Sequence, residues 1–221
     1  MRPPFSAEQF LEVFATYNAA IWPAQIVAYA LGIFAVLLVL AKRRLSGRFI
    51  ACILALFWLW SGIAYHVLFF SSINKPSYVF GLLFIAQGGL FLYFGVIRKA
   101  LMFRLAPDAR GIAGAILIVY SMLVYPLLGY ALGHSYPSSP VFGVAPCPTV
   151  IFTFGMLLWL DRKMPFSLLL IPVVWSVIGF GAAVFLGIAE DIALIIAGIL
   201  GIVMARMRGG SHSSTEQHDL S

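Results

Sequence analysis

Charge is the scarcest property of this sequence. Only 10% of its 221 residues are Asp, Glu, Lys or Arg, whereas soluble domains carry about 25%. That shortage excludes a soluble globular fold and fits a chain dissolved mostly in lipid. Cysteine is nearly absent too. Cys52 and Cys147 make no disulfide framework, and they are expected at opposite ends of their helices. No lysine falls within an apolar run, which excludes a Schiff-base retinal protein; Lys42, Lys75, Lys99 and Lys163 all lie at expected loops. H-E-x-x-H, G-x-S-x-G and phosphate-binding loops are missing. The opening stretch "MRPPFSAEQFLEVF" holds two acids and no continuous apolar run, so it is not expected to be a secretory signal.

What the chain has in abundance is apolar length, 62% of its residues being hydrophobic. A bilayer core of about 30 Å takes about 20 helical residues. Seven candidate spans follow, near 19–41, 49–71, 77–97, 111–133, 146–160, 166–189 and 191–206. Basic residues mark alternate loops. Lys42, Arg43, Arg44 and Arg48 follow the first span, and Arg98, Lys99, Arg104 and Arg110 the third. Arg162 and Lys163 follow the fifth, and Arg206 and Arg208 the seventh. Only Arg2 and Lys75 fall on the other side. The positive-inside bias then places the N-terminus outside and the C-terminus in the cytoplasm. The same scatter argues against a nucleic-acid partner despite a net charge of +6. The expected fold is an all-α integral membrane protein of seven transmembrane helices.

Three regions are expected. Ser6 and Gln9 have capping-box spacing. Phe10, Phe14, Tyr17 and Ile21 recur at helical period, with Glu8 and Glu12 on another face. Residues 1–18 thus read as an amphipathic helix on the outer surface. Residues 19–208 form the transmembrane domain. Residues 209–221, with His212 and His218, read as a disordered cytoplasmic tail.

The fifth span is short. From Pro148 to Leu160 it has thirteen residues, about 20 Å of helix, before Asp161, Arg162 and Lys163. The loop before it, "HSYPSSPVFGVAPC", carries no charged residue and is expected to dip inward. Backbone outside a helix is tolerated there only beside protein or a water-filled cavity, so an outward-facing polar recess is predicted. Pro148 suits the first helical position and biases its predecessor away from the α region. Cys147 is therefore expected to be the N-cap, where the helix dipole favours a thiolate.

Other polar groups gather at the same expected depth: Asn18, Gln25, His66, His134, Tyr136, Thr149, Glu190 and Asp191. His66, His134, Cys147 and Glu190 are ligand types for a transition metal, although no short ligand spacing links them. Gln87 and Ser176 sit mid-span and are expected to hydrogen-bond between helices. "GYALG" (129–133) has the small-residue spacing of close helix contacts, and Pro126 and Pro172 are candidate kinks.

The stretches "YNAAIWPAQ" (17–25), "YHVLFF" (65–70), "GHSYPSSPVFG" (133–143), "PCPTVIFTFG" (146–155), "WSVIGFGAA" (175–183) and "AEDI" (189–192) resemble a family of bacterial multi-pass membrane proteins of unknown function. The resemblance implies a bacterial inner-membrane protein and assigns no activity, cofactor or site residue. Three function classes remain open on local chemistry: a transporter or channel-like protein for a small solute or ion, a membrane-embedded enzyme or metal/thiol site facing the periplasm, and an accessory subunit of a membrane complex. The partners expected are the lipid bilayer and a small solute or metal ion. No cofactor or oligomeric state follows.

Overall fold

The computed structural model describes residues 5–41, 45–161 and 164–210, with side chains to residue 205. Among them every regular element is helical, apart from a single β-bridge between Phe103 and Leu160. The tail expected from 209 begins as the last two residues of a helix. Residues 211–221 lie outside the described residues, as do 42–44 and 162–163.

Helix α1 (Ala7–Ala20) opens on the expected box. Ser6 Oγ accepts from Gln9 N at 3.3 Å, and Gln9 Oε1 accepts from Ser6 N at 2.9 Å. Phe10, Phe14 and Tyr17 are buried, and Glu8 and Glu12 are exposed. The chain then turns by 87° into α2 (Ala24–Leu40). Pro23, which has no N–H for a continuing helix, marks the break. The first expected span, 19–41, is therefore shorter at its start than the apolar run suggests.

Helix α3 (Ser46–Trp60) continues through a π-helical stretch (Ser61–Phe69) and a 3₁₀ turn (Phe70–Ser72). Helix α4 (Ser77–Leu92) ends in a π-helical turn (Tyr93–Ile97). Helix α5 (Ala109–Val119) passes through another (Tyr120–Val124) into α6 (Tyr125–Ala131). Asp108 caps α5. Hydrogen bonds from the Gly111 N–H and the Arg110 side chain hold its carboxyl below the usual carboxylate range. The remaining helices are α7 (Pro146–Leu158), α8 (Phe166–Leu186) and, after a 3₁₀ turn at Ala189–Ile192, α9 (Ala193–Gly210).

Four continuous helical stretches are long and apolar enough to cross a bilayer: Ser46–Ser72, Ser77–Ile97, Ala109–Ala131 and Phe166–Leu186. The bent pair α1 and α2 makes a fifth if counted as one span. Large apolar side chains point outward along these helices, among them Leu82, Ile112, Leu127 and Val184, each at least 60% exposed. An outer surface of that kind belongs in lipid or against protein, not in water.

Prolines inside helices leave carbonyls unbonded, and other helices supply the missing donors. Pro172 cannot bond back to the Leu168 carbonyl four residues earlier. Gln87 of α4 donates to that oxygen at 3.0 Å. Pro126 has the same relation to the Met122 carbonyl, which accepts from the Tyr29 hydroxyl at 3.1 Å. Of the two expected interhelical polar groups, Gln87 thus links α4 to α8, whereas Ser176 donates within its own helix to the Val173 carbonyl.

Helix α7 is the centre of the bundle. Every residue from Phe142 to Leu160 is buried. A helix apolar on all faces is a core helix, and one that touches no lipid need not match the bilayer's thickness. This is the physical answer to its shortness. It meets α5 where Gly114 faces Gly155: a Cβ on Gly155 would lie 2.9 Å from the Gly114 carbonyl oxygen. The expected close contact at "GYALG" does not form. Gly129 faces the Glu190 carboxylate, and Gly133, at φ +91°, lies past the end of α6 with nothing within 4 Å of its Cβ position.

The N-cap of α7 is a correction. Ala145, extended at φ −105° and ψ 146°, caps the helix, with Pro146 at the first position and Cys147 already helical at the second. Pro146 and Pro148 both fall among the first four residues, whose N–H groups find no intrahelical partner. Neither proline costs a bond there, and packing of the buried segment outweighs the bias acting on Cys147.

Contacts assign the loops to two ends. Arg104 N donates to the Trp159 carbonyl, Asp161 N donates to the Met102 carbonyl, and Gly47 abuts the Leu101 carbonyl. Arg48, Arg98, Lys99, Arg104 and Arg110 therefore share one end. At the other, the α1–α2 bend, the 133–145 loop and the α8–α9 turn meet.

Candidate functional site

At that second end a cavity of about 380 Å³ opens between α1, the π-helical part of α3, the start of α7 and α8. Phe5, Phe10, Phe14, Tyr65, Phe70 and Phe80 form most of its walls, with Ile178, Ala182, Phe185 and Leu186 along α8. Its floor holds His66, Cys147, Trp175 and Asp191, all buried, and Asn74 also lines it. A volume of this size is within the range of drug-sized ligand pockets.

Three of the residues expected to share a site do so: His66, Cys147 and Asp191. His66 is fully buried in a ring of aromatic side chains, with ring centroids at 4.8 Å to Phe84 and 5.0 Å to Trp175. The π-helical stretch that carries it is the kind of local widening often found at functional positions. Asp191, 3% exposed, accepts from the Tyr125 hydroxyl at 2.5 Å. The Cys147 thiol lies within hydrogen-bonding reach of the same carboxylate. The acid therefore reaches across to α6 and α7 instead of capping α9.

The others serve the frame around the cavity. Asn18 donates to the carbonyls of Pro137 and Ser139 at 2.7 and 2.8 Å, and Gln25 donates to the Asn18 carbonyl at 2.8 Å. Together they tie the bend to the inward loop. The Tyr17 hydroxyl donates to the Val144 carbonyl at 2.7 Å and accepts from Trp60 at 2.8 Å. That is the protein-supplied hydrogen bonding the loop's backbone requires. His134 pairs with Glu190 at 2.9 Å, and the glutamate side chain is 1% exposed. Thr149 is buried and its hydroxyl oxygen has no partner. Tyr136 is exposed, away from the cavity. The recess is thus aromatic where a polar one was expected, because most of the polar groups bond one another or the backbone.

Among the described residues no three His, Cys, Asp or Glu side chains come together as a metal-binding group. The candidate ligands divide into His66 and Cys147 at the cavity and the His134–Glu190 pair beside it. Cys147 is a buried free thiol and Cys52 an exposed one.

The model of a family of unknown function, DUF6064, matches residues 7–214. The chain belongs to that family. No curated protein and no solved structure matches it. Family membership accounts for the quoted stretches and adds no activity, so the reading of the cavity rests on its chemistry.

Tyr65, Trp175 and the phenylalanine walls escape sequence reasoning because aromatics make up 15% of the chain; the helical spacing of Phe10 and Phe14 marks a buried face and not a cavity. Trp175 carried one usable signal. A tryptophan deep in an apolar span brings an N–H that needs a partner. Trp58 and Trp159 find theirs in Thr153 and the Gly111 carbonyl. The Trp175 indole nitrogen has only the weakly accepting Cys147 sulfur within reach.

Proposed function

We propose that this protein crosses a bacterial inner membrane seven times, N-terminus outside, and binds a lipophilic small molecule in the aromatic cavity at its outer end. The observation that carries the reading is the wall of the cavity: phenylalanines of α1, α3 and α4 face apolar residues of α8, and Phe185 at the rim is 68% exposed. A rim of that composition on a helix read as a span opens towards acyl chains, so the occupant enters from the lipid phase. The basic loops gathered at the opposite end support the orientation. Burying an apolar ligand against these rings would contribute about 25 cal/mol per Å² of contact.

Movement of a solute across the membrane is a second use of the same cavity. A binding site beside the N-terminus of a short helix that starts within the bundle is a recurring arrangement in transporters. Beneath the floor, however, Trp58, Phe84 and Phe154 are fully buried and close the path in this conformation. Binding is therefore the simpler reading.

The test is occupancy. Protein purified with its native lipids into nanodiscs is extracted with organic solvent and analysed by mass spectrometry beside Ala182→Phe, which fills the cavity from α8. A lipophilic compound near one per chain in the parent and depleted in the variant supports the reading. Equal recovery from both, with the variant unfolding at the parent temperature, refutes it.

A further inference from the structure

Side chains that line the cavity carry polar atoms that the protein leaves unmatched. His66 Nε2, Trp175 Nε1 and the Tyr65 hydroxyl oxygen are all buried without a hydrogen-bond partner, and all three side chains line the cavity. Buried polar groups in folded proteins are overwhelmingly paired, and leaving one unpaired costs about 1–3 kcal/mol. Three in side chains that line one cavity point to a polar ligand group that reaches them as those side chains give way.

Their hydrogen-bonding senses define that group. The Ser77 hydroxyl donates its only hydrogen to the His66 carbonyl, at 2.7 Å. Its oxygen can then face His66 Nδ1, at 3.3 Å, only as an acceptor. Nδ1 therefore carries the proton in the neutral ring and Nε2 presents a lone pair. Trp175 Nε1 is a donor only. The Cys147 sulfur, a weak acceptor, lies within its reach, but no stronger acceptor does. The Tyr65 hydroxyl is a donor as well as an acceptor.

We propose that the cavity recognises the hydroxyl group of a lipophilic alcohol or phenol, which donates to His66 Nε2 and accepts from the Trp175 indole N–H. This rests on the cavity being a lipophilic binding site and names the head group it reads. An ether or ketone supplies acceptors only and leaves Nε2 bare. An ammonium group supplies donors only and leaves the indole N–H unpaired, and a carboxylate supplies acceptors only and would meet Asp191. A lone water could satisfy the same atoms, but it would leave the aromatic walls without a neighbour.

Three probes of one skeleton separate the possibilities: 4-octylphenol, 4-octylanisole and octylbenzene, titrated as fractions of lipid into nanodiscs holding the full chain. Nitrogen-15 labelling of its five tryptophans reports on the cavity through the Trp175 indole peak, assigned with Trp175→Phe. Affinity is read from the ligand-induced rise in unfolding temperature. The phenol is expected to bind at least about tenfold more tightly than the ether or the hydrocarbon and to move the Trp175 peak furthest. His66→Phe should reduce the phenol's advantage to less than about threefold. If that variant does not fold, Trp175→Phe, which keeps a ring and removes the donor, should reduce it in the same way. Equal affinities for all three probes, with the Trp175 peak perturbed, overturn the head-group inference and leave the cavity reading standing. No perturbation by any probe overturns both. Tighter binding of 4-octylbenzylammonium than of the phenol would assign the head group to Asp191 and overturn the hydroxyl.

Discussion

Gln87 and Pro172 should be energetically coupled although one lies on α4 and the other on α8. Pro172 leaves the Leu168 carbonyl without its intrahelical donor, and the Gln87 amide supplies one at 3.0 Å. Gln87 is fully buried, and its own carbonyl oxygen has no partner. Gln87→Met keeps the length of the side chain and removes both polar atoms. Orphaning the Leu168 carbonyl costs about 1–3 kcal/mol, while relief of the unpartnered amide oxygen returns about 1 kcal/mol. The net loss expected is about 1 kcal/mol. In a Pro172→Ala background the new N–H at position 172 bonds the same carbonyl, and Gln87→Met then becomes neutral or stabilising by about 1 kcal/mol. The coupling is therefore about 1–2 kcal/mol, or about 2–8 °C in Tm for a domain of this size. Thermal unfolding of the four proteins in one detergent measures it. Equal effects of Gln87→Met in both backgrounds would refute the account of how the proline-containing helix is satisfied.

Other outcomes are as specific. His134→Ala leaves the Glu190 carboxylate, 1% exposed, without its partner and should destabilise by about 2–3 kcal/mol, at the low end for a broken buried pair because His134 itself is 16% exposed; Glu190→Gln should cost less, and unfolding temperatures in the reverse order would count against the pairing. Gly155→Ala puts a methyl 2.9 Å from the Gly114 carbonyl oxygen and should lose about 1–3 kcal/mol, whereas Gly89→Ala, with open space at its Cβ, should gain up to about 1 kcal/mol from helix propensity. In a background of Cys52→Ser and Cys147→Ala, Tyr136→Cys should react with an impermeant maleimide in intact cells, and Arg104→Cys only after permeabilisation. The opposite pattern would invert the proposed orientation.

What could be read in the sequence was local or statistical. The Ser6–Gln9 box depends on residues three apart, and the grouping of basic loops at one end needs only the order of apolar runs. Helix α7 shows where such reading stops. A run such as Val150–Leu158 looks the same whether its neighbours are acyl chains or other helices, so its central place was invisible. The Cys147 cap failed for a related reason, since two prolines offered two registers and only packing chose between them. The candidate site was legible in part. Asn18, Gln25 and His134 have the same polarity as His66, but their partners, Pro137, Ser139 and Glu190, are distant in sequence. The aromatic walls belong to four helices, and no spacing links one helix's aromatics to another's.

The enclosure of α7 has a consequence for how the protein is made. A segment with no lipid-facing side gains little by entering the bilayer before its neighbours are there to receive it. Helices α3 and α5, synthesised earlier, offer part of its sheath, while α8 and α9 emerge afterwards. Biogenesis must hold residues 142–160 in a half-wrapped state until the C-terminal pair closes over them, and chains truncated before α8 should be prime substrates for membrane quality control.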